Sequence, residues 1–178
     1  MSKLKELTWA NHSKAERTEH ARKLLKGMTP EEYHRYLYNQ YVQYAAIEGV
    51  ANSQGVLDGI ERICRASAIH TDMVELEEEY NIQRADSLLC PVVDRYASHV
   101  TGLENTDDIL AHLYVRHFGD MYGGQMIRKR NPGSGTMYDF DDVEDLKTIV
   151  RAKLNDDMAD EANRCFEFAM ELFEELGE

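Results

Sequence analysis

Apolar side chains recur along this chain at three- and four-residue spacing almost throughout, the period of an amphipathic helix. Only three prolines occur in 178 residues, and an all-α fold is predicted. A first helix over 3–26 is stopped by Gly27. Thr29-Pro30-Glu31-Glu32 opens the second with a Thr cap, Pro at the first helical position and Glu three residues after the cap. That helix continues through Tyr33, Tyr36, Leu37, Tyr41, Tyr44, Ala45 and Glu48, an aromatic stripe. Gly49, Gly55, Gly59, Pro91 and Gly102 then break the pattern, which predicts short helices near 56–68, 71–83 and 91–100. A long helix over 107–130 ends at Asn131-Pro132-Gly133-Ser134-Gly135. An irregular acidic stretch at 138–142 leads to closing helices near 143–155 and 158–176. No repeat, low-complexity tract or linker divides the chain, so 1–178 reads as one domain.

Charge narrows the range of functions. The chain carries 33 acidic and 20 basic residues, a formal net charge of −13, which excludes a generic nucleic-acid binder. The imbalance is uneven: residues 1–30 hold 7 basic and 3 acidic side chains, a local surplus of +4. The first helix is therefore a basic island suited to an anionic ligand. The longest apolar run, Leu88 to Val93, is far short of the roughly 20 residues of a bilayer span. The N-terminus lacks the apolar stretch of a secretory signal, and Cys64, Cys90 and Cys165 cannot all pair within one chain; a soluble protein of the reducing cytoplasm is expected.

Chemistry concentrates in residues 111–125, AHLYVRHFGDMYGGQ. Each of its three glycines costs a helix about 0.8–1 kcal/mol relative to Ala. Gly119, Gly123 and Gly124 clear side chains from a face, which lets backbone approach a flat ligand; the same spacing equally suits close packing of two helices. Asp120, beside the first glycine, could organise waters near a reacting group, or be a solvated charge. In the first helix His12 and Glu16 share a face at i, i+4, so the carboxylate can fix which imidazole nitrogen is free for a metal. An ordinary surface pair has the same spacing.

Taken together, the two segments resemble the heme oxygenase family. His12 matches the position of its iron ligand and Glu16 that ligand's carboxylate partner, while Tyr114, Arg116, Gly119, Asp120, Gly123, Gly124 and Gln125 match the distal-helix signature. Leu25-Lys26-Gly27, Tyr138-Asp139-Phe140, Lys147 with Arg151, and the stretch from Asp160 to Leu176 extend the likeness to about two thirds of the chain; residues 49–90 follow it weakly. The resemblance implies a single-domain helical bundle with heme b, at once substrate and cofactor, sandwiched between the first helix and the kinked distal helix. It implies that Lys5, Lys147 and Arg151, with Tyr114 nearby, meet the propionates, that Phe166 walls the pocket, and that Gly119, Asp120, Arg116 and Tyr114 serve catalysis. Tyr122 stands where members commonly carry Ser, Trp9 where many are basic, and the chain looks trimmed at 80–91, 131–136 and 156–160.

The expected activity is oxidative opening of heme to biliverdin, CO and Fe²⁺ with O₂ and external electrons. The resemblance is to the soluble branch using ferredoxin, whose acidic surface Lys3, Lys5, Lys14, Arg17, Arg22 and Lys23 could receive, with a bilin reductase downstream and no nucleic-acid or membrane partner. The alternatives are a heme carrier without oxygen chemistry and a di-iron oxidase. The latter needs paired Glu-x-x-His motifs, and only Glu31-x-x-His34 is present. His20, His34, His70, His99, His112 and His117 carry no assignment at this level and read as ordinary surface or core residues.

Overall fold

The computed structural model describes residues 2–178, and all regular structure among them is helical. The principal helices are α1 (Leu4–Leu7), α2 (Trp9–Glu16), α3 (Glu19–Lys26), α4 (Pro30–Ser53), α5 (Ala66–Tyr80), α6 (Pro91–Thr101), α7 (Thr106–Arg130), α8 (Val143–Arg151) and α9 (Ala159–Leu176). α4 packs against α5, α6 and α7, while α9 packs against α2, α3, α6 and α7. None of these helices is long and apolar enough to cross a membrane.

The second helix starts as its sequence predicts. Thr29 accepts from the Glu32 backbone N–H, the Glu32 carboxylate accepts from the Thr29 N–H, and Pro30 occupies the first turn. A cap of this kind is worth about 1 kcal/mol. Tyr33, Tyr36, Leu37 and Tyr44 from its stripe are buried with Ile69, Met73, Leu76 and Tyr138 in one core cluster. Ile47 and Val50 enter a second cluster with Ile109, Leu113, Leu146 and Val150.

Four predicted helices are corrected. The segment over 3–26 is three helices, because hydroxyls intervene: Thr8 is buried and donates to the Leu4 carbonyl at 2.9 Å, and Thr18 leaves helical geometry to accept from the Ala21 N–H at 3.2 Å. Residues 56–65 contain turns and a short 3₁₀ segment at Glu61–Ile63 instead of the α-helix predicted over 56–68. Gly55 and Gly59 take positive φ there, and the Glu48 carboxylate caps the start of α5 by accepting from the N–H groups of Arg65 and Ala66 at 2.6 and 3.0 Å. The next helix therefore runs over Ala66–Tyr80, earlier than 71–83, and α8 closes at Arg151, earlier than 155.

The N-terminal helices are tied down at both ends. The Lys3 N–H meets Asp156 Oδ1 at 2.6 Å, and Asn163 joins Asn11 and the Leu7 carbonyl, seating α1 and α2 near α9. At the far end, Asn131 donates to the Leu24 carbonyl and accepts from the Met28 N–H. Gly27, at φ +113°, sits where a Cβ would lie 2.6 Å from the Arg130 carbonyl oxygen, so the α3 turn can approach the end of α7 only with glycine there.

Candidate functional site

The first candidate group lies on α2, which presents a half-exposed His12. Its Nε2 is 2.7 Å from Glu16 Oε1, the pair that the i, i+4 spacing predicts. The Trp9 ring stacks on the imidazole at 5.4 Å, and Phe166 from α9 lies 5.6 Å away. His12 is thus bracketed by aromatic surface while its carboxylate partner engages one nitrogen. With Glu16 on Nε2, the ring nitrogen that this arrangement leaves to a metal is Nδ1.

A second candidate group lies on α7, whose glycines divide into two kinds. A Cβ placed on Gly119 or Gly123 would meet nothing within 4 Å, so this i, i+4 pair lines open space. A Cβ on Gly124 would lie 2.2 Å from Cδ1 of Tyr138. The expectation that all three glycines clear the ligand face is corrected accordingly: Gly124 is required for packing against Tyr138. Gln125 bonds the Tyr138 carbonyl at 3.0 Å and belongs to the same packing.

Asp120, between these glycines, is buried. The Tyr44 hydroxyl donates to its Oδ2 at 2.6 Å. Burial pushes its carboxyl up to about 6, against the opposing pull of Tyr44, His117, Arg116 and Arg65. Arg116, one turn earlier, donates from Nε to the Tyr96 hydroxyl at 2.9 Å and through its terminal nitrogen to Gln43 at 2.8 Å. Gln43 in turn donates to Gln40, and Gln40 to the Tyr36 hydroxyl. His117 pairs with Glu48 at 2.8 Å, both buried. The Tyr44 hydroxyl is also 3.4 Å from the Arg116 carbonyl, so the Asp120–Tyr44 pair meets the buried polar network of Arg116 at that oxygen, with His117–Glu48 as a separate buried pair alongside. Arg116 backs Asp120 from behind, as a buried support.

The third group is cationic. Lys147, with its side chain only 8% exposed, is 3.2 Å from Glu144 and 4.0 Å above the Tyr122 ring. The Arg151 guanidinium lies over Phe118 and Tyr122 at 5.6 and 5.7 Å, and Tyr114 packs on Phe118 at 5.1 Å. Tyr114 therefore joins the Arg151 cluster, and none of its contacts reaches Asp120. Tyr122, 58% exposed, reaches across the two cations. Lys5 is exposed on α1.

Sequence reasoning missed Tyr44, Gln43 and Tyr96 as partners of this site. Tyr44 was visible only as one member of an aromatic stripe, and nothing in that spacing distinguishes a hydroxyl aimed at Asp120 from a core ring. Taken one by one, these groups carry the chemistry that a planar ligand with a central metal and an anionic edge requires. His12 and Glu16 offer nitrogen ligation with a carboxylate behind it, Gly119 and Gly123 offer a face without side chains, and Lys147 and Arg151 offer positive charge.

The heme oxygenase family pattern matches residues 1–175. Among curated relatives, the heme oxygenase of Rhodella violacea is 28% identical over 202 residues, covering 97% of this chain and 85% of that protein. Heme oxygenase 2 of Macaca fascicularis is 26% identical over 204 residues, and this chain spans 64% of its length. Two solved structures share the fold. Heme oxygenase from Leptospira interrogans superposes with a TM-score of 0.81 at 22% identity, covering 96% of each chain. Heme oxygenase-1 from Synechocystis, determined in complex with heme, gives 0.78 at 24%, covering 97% of this chain and 90% of that one. With the family pattern spanning nearly its whole length and the fold shared, the chain belongs to the heme oxygenase family.

Proposed function

We propose that this chain binds heme between α2 and α7 and opens it at a meso carbon to biliverdin, CO and Fe²⁺, taking O₂ and electrons from outside. The observation that carries the reading is the open Gly119–Gly123 face with the buried Asp120 carboxyl beside it. A flat ligand can approach backbone there without meeting a side chain. Bound heme supplies the iron at which O₂ is reduced and the carbon that is oxidised.

The chain supplies the rest. His12 is the iron ligand, with Glu16 holding its second nitrogen. Trp9 and Phe166 flank the His12 ring and limit its rotation. Lys147 and Arg151, with Lys5 and Tyr114, receive the propionates and set the orientation of the ring. Asp120, with its carboxyl near pH 6, can hold or release a proton at Oδ1 or Oδ2, and the Tyr44 hydroxyl and the Arg116 network keep it in place. Burial of this network limits the solvent routes by which protons reach the site.

The electron donor in this reading is ferredoxin, docking on the basic N-terminal helices, and the bilin passes to a reductase of that pigment class. Three unpaired cysteines suit a reducing compartment such as the cytoplasm. The test is a heme titration of the chain and of His12→Ala, followed by turnover with ferredoxin and its reductase against a flavoprotein reductase. Loss of the ligated-heme spectrum in the variant and faster turnover with ferredoxin support the reading; an unchanged spectrum rejects His12 as the ligand. A heme carrier would bind and ligate heme but yield no bilin.

A further inference from the structure

Three helices bring together a second set of metal-type ligands, about 10 Å along α7 from Gly119. His99 on α6, His112 on α7 and Glu161 on α9 place one ligand atom each within 4.8 Å of one another. Both imidazole Nε2 atoms converge on the same oxygen, Glu161 Oε1, at 2.5 Å from His99 and 2.7 Å from His112.

The surroundings hold these groups in place. His112 is fully buried, and its Nδ1 is 2.9 Å from the Tyr96 hydroxyl oxygen, which accepts from Arg116. Phe168 packs against both His99 and Tyr96, at 5.4 and 5.2 Å. The His99 side chain remains 21% exposed and that of Glu161 15%, which leaves an approach from solvent on one side. Asp108, one turn before His112 on α7, adds its charge to that of Glu161.

We propose that His99, His112 and Glu161 form a binding site for a divalent first-row transition ion of the Zn²⁺ or Fe²⁺ class. Two imidazoles and one carboxylate are a ligand set these ions favour, and water can complete the coordination from the exposed side. Each imidazole would bind as the neutral tautomer carrying its proton on Nδ1. For His112 that N–H then donates to the Tyr96 oxygen, an outer partner of the kind that fixes metal-bound histidines. Ligand atoms around a tetrahedral ion at about 2.0–2.2 Å sit about 3.3–3.6 Å apart, so each imidazole nitrogen draws back from Glu161 Oε1 by about 1 Å to admit it. Both imidazole nitrogens aim at one carboxylate oxygen, so the three ligand atoms already face a common point from three helices. The inference is independent of the heme reading.

The test is calorimetric titration of the heme-free chain with Zn²⁺, repeated on His99→Ala, Glu161→Gln and His12→Ala, with thermal unfolding to verify that each is folded. The expected result is one Zn²⁺ per chain and a Zn²⁺-dependent rise in Tm. His99→Ala should weaken binding by about 100-fold or more, the upper end of what losing even an outer partner costs. His12→Ala should leave it unchanged, which separates this site from the one on α2. Absence of saturable binding at sub-millimolar Zn²⁺, equal binding in a folded His99→Ala, or loss of binding in His12→Ala would each overturn the proposal. Should Glu161→Gln unfold, His99→Ala on the half-open side still decides.

Discussion

The Tyr44 hydroxyl donates to Asp120 Oδ2 at 2.6 Å inside the helical core. The bond favours the charged carboxylate, yet burial outweighs it and the Asp120 carboxyl stays up near 6. The folded chain therefore holds this proton more tightly than the unfolded chain does. Its contribution to stability is complete below the ordinary carboxylate range near pH 4 and is lost as pH rises through 6. Between pH 5 and pH 7 the loss is about 1 kcal/mol. Asp120→Asn removes this dependence, so urea denaturation of the variant should fall less steeply over that interval than that of the parent. Parallel profiles would contradict a raised Asp120.

Gly119 and Gly124 should respond oppositely to alanine. Gly119→Ala adds a methyl into open space and gains up to about 1 kcal/mol of helix propensity, so the heme-free fold should be as stable or more so. The same methyl stands on the proposed ligand face, and heme binding or turnover should drop. Gly124→Ala places its Cβ against the Tyr138 ring and should destabilise the heme-free fold by about 1–3 kcal/mol. Thermal unfolding without heme, paired with heme titration, separates the two. A destabilised Gly119→Ala that binds heme normally would reverse the assignment.

Tyr122 organises the cationic edge through its ring, with Lys147 Nζ 4.0 Å from the centroid. A cation–π contact at a partly exposed site is worth about 0.5–1 kcal/mol. Tyr122→Ser should therefore weaken heme binding by about two- to fivefold. The effect should vanish with heme whose propionates are esterified, since the cations then have no anionic partner. An equal loss with the ester would mean that Tyr122 contacts the ring itself.

How much of this was legible in the sequence depends on the range of each interaction. The start of α4 was readable because Thr29, Pro30 and Glu32 act within four residues. The His12–Glu16 pair was readable for the same reason. The break of the first helix at Thr8 and Thr18 was not, because a threonine hydroxyl within a helical pattern does not reveal whether it will cap or stay in register. The start of α5 was hidden because its cap, Glu48, lies 18 residues before Ala66. The three glycines of α7 looked equivalent until Tyr138 arrived against one of them. Asp120 was legible as a residue of interest, whereas its partner Tyr44, 76 positions away, required the packing of α4 on α7.

The most direct test of the account is product analysis. The chain is loaded with heme, supplied with O₂ and a reductant, and the pigment is extracted and identified, with Asp120→Asn run beside it. The account predicts biliverdin from the parent, with its isomer reporting the carbon attacked, and a variant that still binds heme but yields little or no bilin. Heme bound and reduced by the parent without any bilin formed would contradict it.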